Sequence, residues 1–194
     1  MEDKTLNSEQ SIELITRMIA QTRQKLERGG GTTFLVWGYT SFVVALTVYV
    51  TYELMGLRWA PWLWWCIPVL GWSLHYFTRH TRVQTVRTYV DKMISYVWIV
   101  TGAVALIYPT VGMFNWVAGA MIIPVESIIL SMATILTGAF LAFRPLVVGG
   151  SIALALSFLM FWMPSYEVIF AAMFLVAMII PGHILNYRAR CSKN

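Results

Sequence analysis

The feature that most constrains this chain is a succession of long apolar runs separated by short polar or basic stretches. A lipid hydrocarbon core about 30 Å thick is crossed by about 20 helical residues rising roughly 1.5 Å each. Six runs approach that length, at 33–52, 61–77, 93–112, 121–143, 145–162 and 168–185. Lipid offers no partner for backbone N–H and C=O groups, so each run must be helical or belong to a closed barrel. Barrel strands alternate apolar and polar residues, and these runs do not. The expected fold is therefore all-α: an integral membrane six-helix bundle preceded by a cytoplasmic or interfacial amphipathic helix. Composition agrees, because a chain that is 58% hydrophobic and 12% charged, with mean hydropathy +0.67, has too little polar surface to cover a water-soluble core.

Charge placement sets the expected orientation. Of the 14 Lys and Arg residues, only Arg58 falls on one side of the six runs; Lys4, Arg144, Arg188 and all the others fall on the opposite side. The positive-inside rule makes that basic side cytoplasmic, and an even number of spans puts both termini there. Trp59, Trp62, Trp116, Trp162 and Tyr166 then gather at the outer interface, where amphipathic rings are favoured. The chain divides into an amphipathic helix with a glycine linker (1–31), a six-helix transmembrane domain (32–187) and a basic tail (188–194). Met1-Glu2-Asp3-Lys4 lacks a basic n-region followed at once by an apolar stretch, so no cleaved signal peptide is expected and the first span is expected to direct insertion into the membrane.

Ahead of the first run, Ile12, Ile15, Met18, Ile19, Thr22 and Leu26 recur at helical spacing, opposite Glu13, Arg17, Gln21, Gln24 and Glu27. Asn7 or Ser8 suits the N-cap, and Gly29-Gly30-Gly31 ends the helix. The stretch 78–92 carries a weaker stripe of Val83, Val86, Val90 and Met93 and is expected to prolong the third helix. Arg17, Arg23, Lys25, Arg28, Arg79, Arg82 and Arg87 build an inner basic surface whose expected partner is anionic lipid headgroups. A second copy of the chain and a protein bound at the N-terminal helix are further candidate partners. Nucleic acid is not expected despite the +5 charge, because the basic residues flank apolar runs instead of lining a soluble face. Cys66 and Cys191 imply no disulfide framework.

Glu126 is the sharpest chemical feature, an acid just inside the fourth run and two residues after Pro124. Ionisable residues in a span face the bundle interior and often mark an ion path. Ser127, Ser131, Thr134, Thr137 and Gly138 lie on or beside its stripe, forming a polar path or a close-packing face. The competing reading makes Glu126 a helix N-terminal acid at the outer interface. His75, His183 and Asn186 sit at similar depth near the inner ends of the second and sixth runs, where a cross-helix cluster is conceivable, although two histidines without a third ligand are weak grounds for a metal. Glu53, Arg58 and Glu167 read as outer-loop residues, a surface ion pair being the default. Pro181-Gly182 marks a kink in the last helix. There is no H-E-x-x-H, G-x-S-x-G or G-x-x-x-x-G-K-[ST], so no catalytic, metal or cofactor site is assigned and the chain is read as non-enzymatic.

Ser11-Ile12-Glu13-Leu14-Ile15, Phe34-Leu35-Val36-Trp37-Gly38-Tyr39, Leu136-Thr137-Gly138, Phe143-Arg144-Pro145-Leu146-Val147-Val148-Gly149-Gly150 and Ile180-Pro181-Gly182-His183-Ile184-Leu185 resemble an uncharacterised family of small multi-pass bacterial membrane proteins with an N-terminal amphipathic helix. The resemblance implies the topology and transfers no site residues. Two function classes remain: a non-enzymatic module responding to lipid or a protein partner, which is favoured because a single acid lies within the spans, and a small transporter or channel with a path near Glu126.

Overall fold

The structure, a computed structural model, describes residues 12–14, 16–17, 31–79, 89–114, 118–163 and 166–191; the side chains of Arg79, Met113 and 189–191 are not among those described. Helices form where the apolar runs lie. Helix α1 (Gly31–Tyr49) continues into a π turn (Val50–Leu54), and a 3-10 segment (Ala60–Trp65) with Pro61 in its first turn leads into α2 (Cys66–Arg79). Then come α3 (Tyr89–Met113), α4 (Gly119–Phe140), α5 (Arg144–Leu159), α6 (Tyr166–Phe174), a second π turn (Leu175–Ile179) and α7 (Ile180–Cys191). No strand occurs among the described residues.

Four continuous segments, Gly31–Leu54, Tyr89–Gly112, Gly119–Phe140 and Tyr166–Arg188, are long and apolar enough to cross a membrane. The other two runs differ for local reasons. Helix α5 ends at Leu159, ahead of the end of its run at 162, and its 16 residues rise about 24 Å, less than a hydrocarbon core. The 61–77 run is divided between the 3-10 segment and α2. Of the N-terminal segment, Ile12, Glu13, Leu14, Thr16 and Arg17 are helical and exposed; the rest of the expected amphipathic helix, residues 80–88 and the tail 192–194 lie outside the described residues.

Packing follows an order different from the sequence. Helix α1 lies between α2 on one flank and α6, its π turn and α7 on the other; α5 packs against α6 and the π turn, α4 against α5, and α3 against α4. The core combines aromatic side chains, among them Phe143, Phe170 and Phe174, with small and flexible ones, Ala45, Ala153, Met160, Ala171, Met173 and Met178 being nearly inaccessible. Lipid tails are as apolar as leucine, so helix association in a membrane depends on close backbone approach, which small residues permit. Methionine fills the irregular gaps left between them.

Two junctions show how the sequence achieves this. Helix α4 ends in a paired-bond turn: Phe143 N–H donates to Gly138 O at 2.9 Å and Ala142 N–H to Ala139 O at 3.1 Å, with Ala142 at φ +48°. This is the Schellman arrangement, with alanine where glycine is usual, and Pro145 then opens α5. In the last helix, Ile180 N–H reaches five residues back to Leu175 O. The matching donor for Val176 O is residue 181, a proline without an N–H. That carbonyl points at Gly149 of α5, where a Cβ would stand 2.5 Å from it.

Candidate functional site

The polar residues of α4 are used in two ways. Ser127, Ser131, Thr134 and Thr137 are all buried, and each hydroxyl donates to the carbonyl four residues earlier, at 2.7, 2.7, 2.9 and 2.7 Å. With no water available in lipid, this local bond satisfies a hydroxyl on a packing surface. Across the interface Ser131 meets Ser157 at 3.4 Å, and both approach the Met173 sulfur, at 3.7 and 3.6 Å. Ser127 approaches the Met160 sulfur at 3.5 Å. Gly138 sits against the Val147 backbone, where a Cβ would come within 2.8 Å of the nitrogen. This face is thus filled by α5 and α6.

Glu126 belongs to a neighbouring stripe, with Leu130, Ala133 and Thr137 at successive helical turns. Trp98 of α3 donates to Thr137 Oγ1 at 3.1 Å, and Gly112 of α3 lies against Ile122. Between these two contacts, about 16 Å from Thr137 by helical rise, Glu126 lies level with the part of α3 around Pro109. Pro109 denies the Ala105 carbonyl its helical donor. The Glu126 side chain is half-buried, and its Oε1 has no hydrogen-bond partner among the described residues.

The inner-side residues separate. His183 Nε2 is 2.8 Å from the Tyr39 hydroxyl, with the rings edge to face. Asn186 packs its side-chain oxygen on Gly31. His75 is carried by α2, which meets α1 through Gly71 against Trp37. Trp37 and Tyr39 are two residues apart and point to opposite sides of α1, so the two histidines stand on different flanks. No group of three or more His, Cys, Asp or Glu able to hold a metal occurs among the described residues. Of the basic candidates, Arg17 is exposed and Arg79 ends α2, while Arg23, Lys25, Arg28, Arg82 and Arg87 lie outside the described residues. The Arg188 guanidinium stacks over Phe143 at 5.5 Å, beside Arg144.

Glu167 differs from its sequence expectation. It lies in the first turn of α6, not in a loop, and is only 2% exposed. Its Oε2 has no hydrogen-bond partner among the described residues. Helix α6 packs against α1, α4 and α5, the first more than a hundred residues away in sequence, and such contacts are invisible to local pattern. No family model matches the chain, and no curated protein or solved structure matches it either.

Proposed function

We propose that the chain is an integral protein of the bacterial inner membrane, crossing the bilayer six times with both termini in the cytoplasm, and that it acts as a non-enzymatic module responding to lipid or to a protein partner through its basic cytoplasmic surface. The observation that carries this reading is the state of the α4 face: its hydroxyls bond to their own helix, and α5 and α6 cover it. A surface consumed by helix packing does not line a path. Two crossings beyond the four long segments are supplied by α5 and by the 60–79 rod, whose six 3-10 and fourteen α residues together rise about 33 Å. Local thinning of the bilayer accommodates the shorter α5. Arg144 and Arg188, gathered around Phe143 at one end of the bundle, support a single basic side. The resemblance to small multi-pass bacterial proteins is part of the same reading.

Vesicle binding by a peptide of residues 7–29 tests it. Arg17, Arg23, Lys25 and Arg28 should give binding that rises with anionic lipid and falls with salt. Binding indifferent to both removes the electrostatic part of the proposal.

One observation favours a second reading, a transporter or channel with a path along Glu126: a buried carboxyl oxygen without a partner among the described residues, level with a proline-interrupted stretch of α3. Proteoliposomes containing the wild type and Glu126→Gln decide between them. A path through Glu126 requires ion-dependent flux that the substitution abolishes with the thermal midpoint retained. Equal flux from both forms, or none, leaves the module.

A further inference from the structure

The start of α5 and the end of α7 build a cationic corner. The Arg188 guanidinium lies over the Phe143 ring, 5.5 Å from its centroid. Phe143 immediately precedes Arg144, so the two charged side chains spring from adjoining points of the bundle. Phe143 is 2% exposed and shares the buried core with Leu146 and Leu185, which makes its ring a fixed platform, while Arg144 and Arg188 themselves are exposed. An arginine already stacked on an aromatic face loses less rotamer freedom on binding than a free one.

Neither charge meets a carboxylate at this corner. Helices α1, α5 and α7 contain no Asp or Glu. Glu126 lies about 27 Å from Arg144, and Glu167 about 30 Å from Arg188, by helical rise along the chain. Asp91 is carried by α3, which packs on α4. Beside the corner, α7 presents a stripe in which Ile180, His183, Ile184 and Tyr187 recur at helical spacing; all are exposed except Ile184, which is half-buried. His183 Nε2 is bonded to the Tyr39 hydroxyl of α1 at 2.8 Å, about 7 Å short of Arg188 by rise. Over the roughly 12 Å from Ile180 to Arg188 the surface thus passes from aliphatic, through imidazole and phenol, to guanidinium. A phospholipid passes from acyl chain, through glycerol ester, to phosphate over the same direction.

We propose that Arg144 and Arg188, with Tyr187 and the His183–Tyr39 pair beside them, bind the headgroup of an anionic glycerophospholipid, its phosphate at the guanidiniums and its acyl chain along Ile180 and Ile184. Guanidinium matches phosphate oxygens bidentately, and basic pockets between membrane helices hold anionic headgroups in this way. The site deepens the lipid-responsive reading and rests on it, at a surface separate from residues 7–29.

The purified full chain in neutral detergent is melted with rising phosphatidylglycerol, with phosphatidylcholine and with inorganic phosphate at equal ionic strength. Wild type should show a saturable rise with phosphatidylglycerol, on the order of 5–10 °C at about 100 times Kd, and none with the other two. Arg144→Gln and Arg188→Gln should each raise the half-saturating phosphatidylglycerol about fivefold, and the double variant about 25-fold. Arg144 is exposed, so its variant decides the matter even if Arg188→Gln fails to fold. Half-saturation unchanged in Arg144→Gln, but lost when Arg17, Arg23, Lys25 and Arg28 are all replaced by Gln, overturns the site and leaves the lipid-responsive reading. No response to phosphatidylglycerol from the wild type removes both. An equal rise with phosphatidylcholine overturns recognition of charge, and one with inorganic phosphate overturns lipid as the ligand.

Discussion

Ala142 occupies the left-handed region at φ +48°, the only non-glycine among the described residues with positive φ. A Cβ there costs about 1–2 kcal/mol, and the turn tolerates it because two backbone bonds and the buried Phe143 hold it. Ala142→Gly should therefore raise the thermal midpoint in detergent, by an amount equivalent to about 1 kcal/mol, less the extra freedom glycine has when unfolded. A lower midpoint would show that the alanine methyl packs favourably. The hairpin itself was legible in the sequence, since Arg144-Pro145 follows a run of helix formers and proline suits a first turn. What was not legible was its cap, because alanine gives no signal for a left-handed residue. Glu167 escaped for a related reason: the helices packed on α6 are distant in sequence, whereas Glu126, inside an uninterrupted run, announced itself.

Close approach in the bundle rests on particular glycines. A methyl at Gly149 meets the Val176 carbonyl at 2.5 Å, a backbone atom that cannot move aside, whereas a methyl at Gly102 in α3 would have nothing within 4 Å of it. Gly149→Ala should destabilise by about 1–3 kcal/mol despite better helix propensity. Gly102→Ala should instead stabilise by up to about 1 kcal/mol. Thermal melts of both variants in one detergent check the pair, and equal shifts would contradict the packing described for α5. The sequence pointed to the α4 face through its small residues, and it flagged Pro181-Gly182 as an interruption. It gave depth but not rotation for His75 and His183, and rotation places them on opposite flanks of α1. The π turns carry no local pattern of their own, and only Pro181 hinted at the second.

For the molecule as a whole, the testable statement is topology. Single cysteines in a cysteine-free background should label from outside at Gly56 and from inside at Ala142, both exposed turn positions. Labelling of both from one side would overturn the six crossings. The order of packing has a consequence for how the chain is made. Tyr39 and His183 touch across 144 residues of sequence. At a synthesis rate of about 5–20 residues per second, that separation corresponds to roughly 7–29 s. Throughout this interval α1 sits in the bilayer with Gly38 uncovered, since Met178 and Ile179, which lie against it, arrive only with the final helix. The nascent protein is a half-built bundle whose first helix waits for its last. Premature termination anywhere ahead of Tyr166 leaves that helix permanently without its mate and exposes it to membrane quality control.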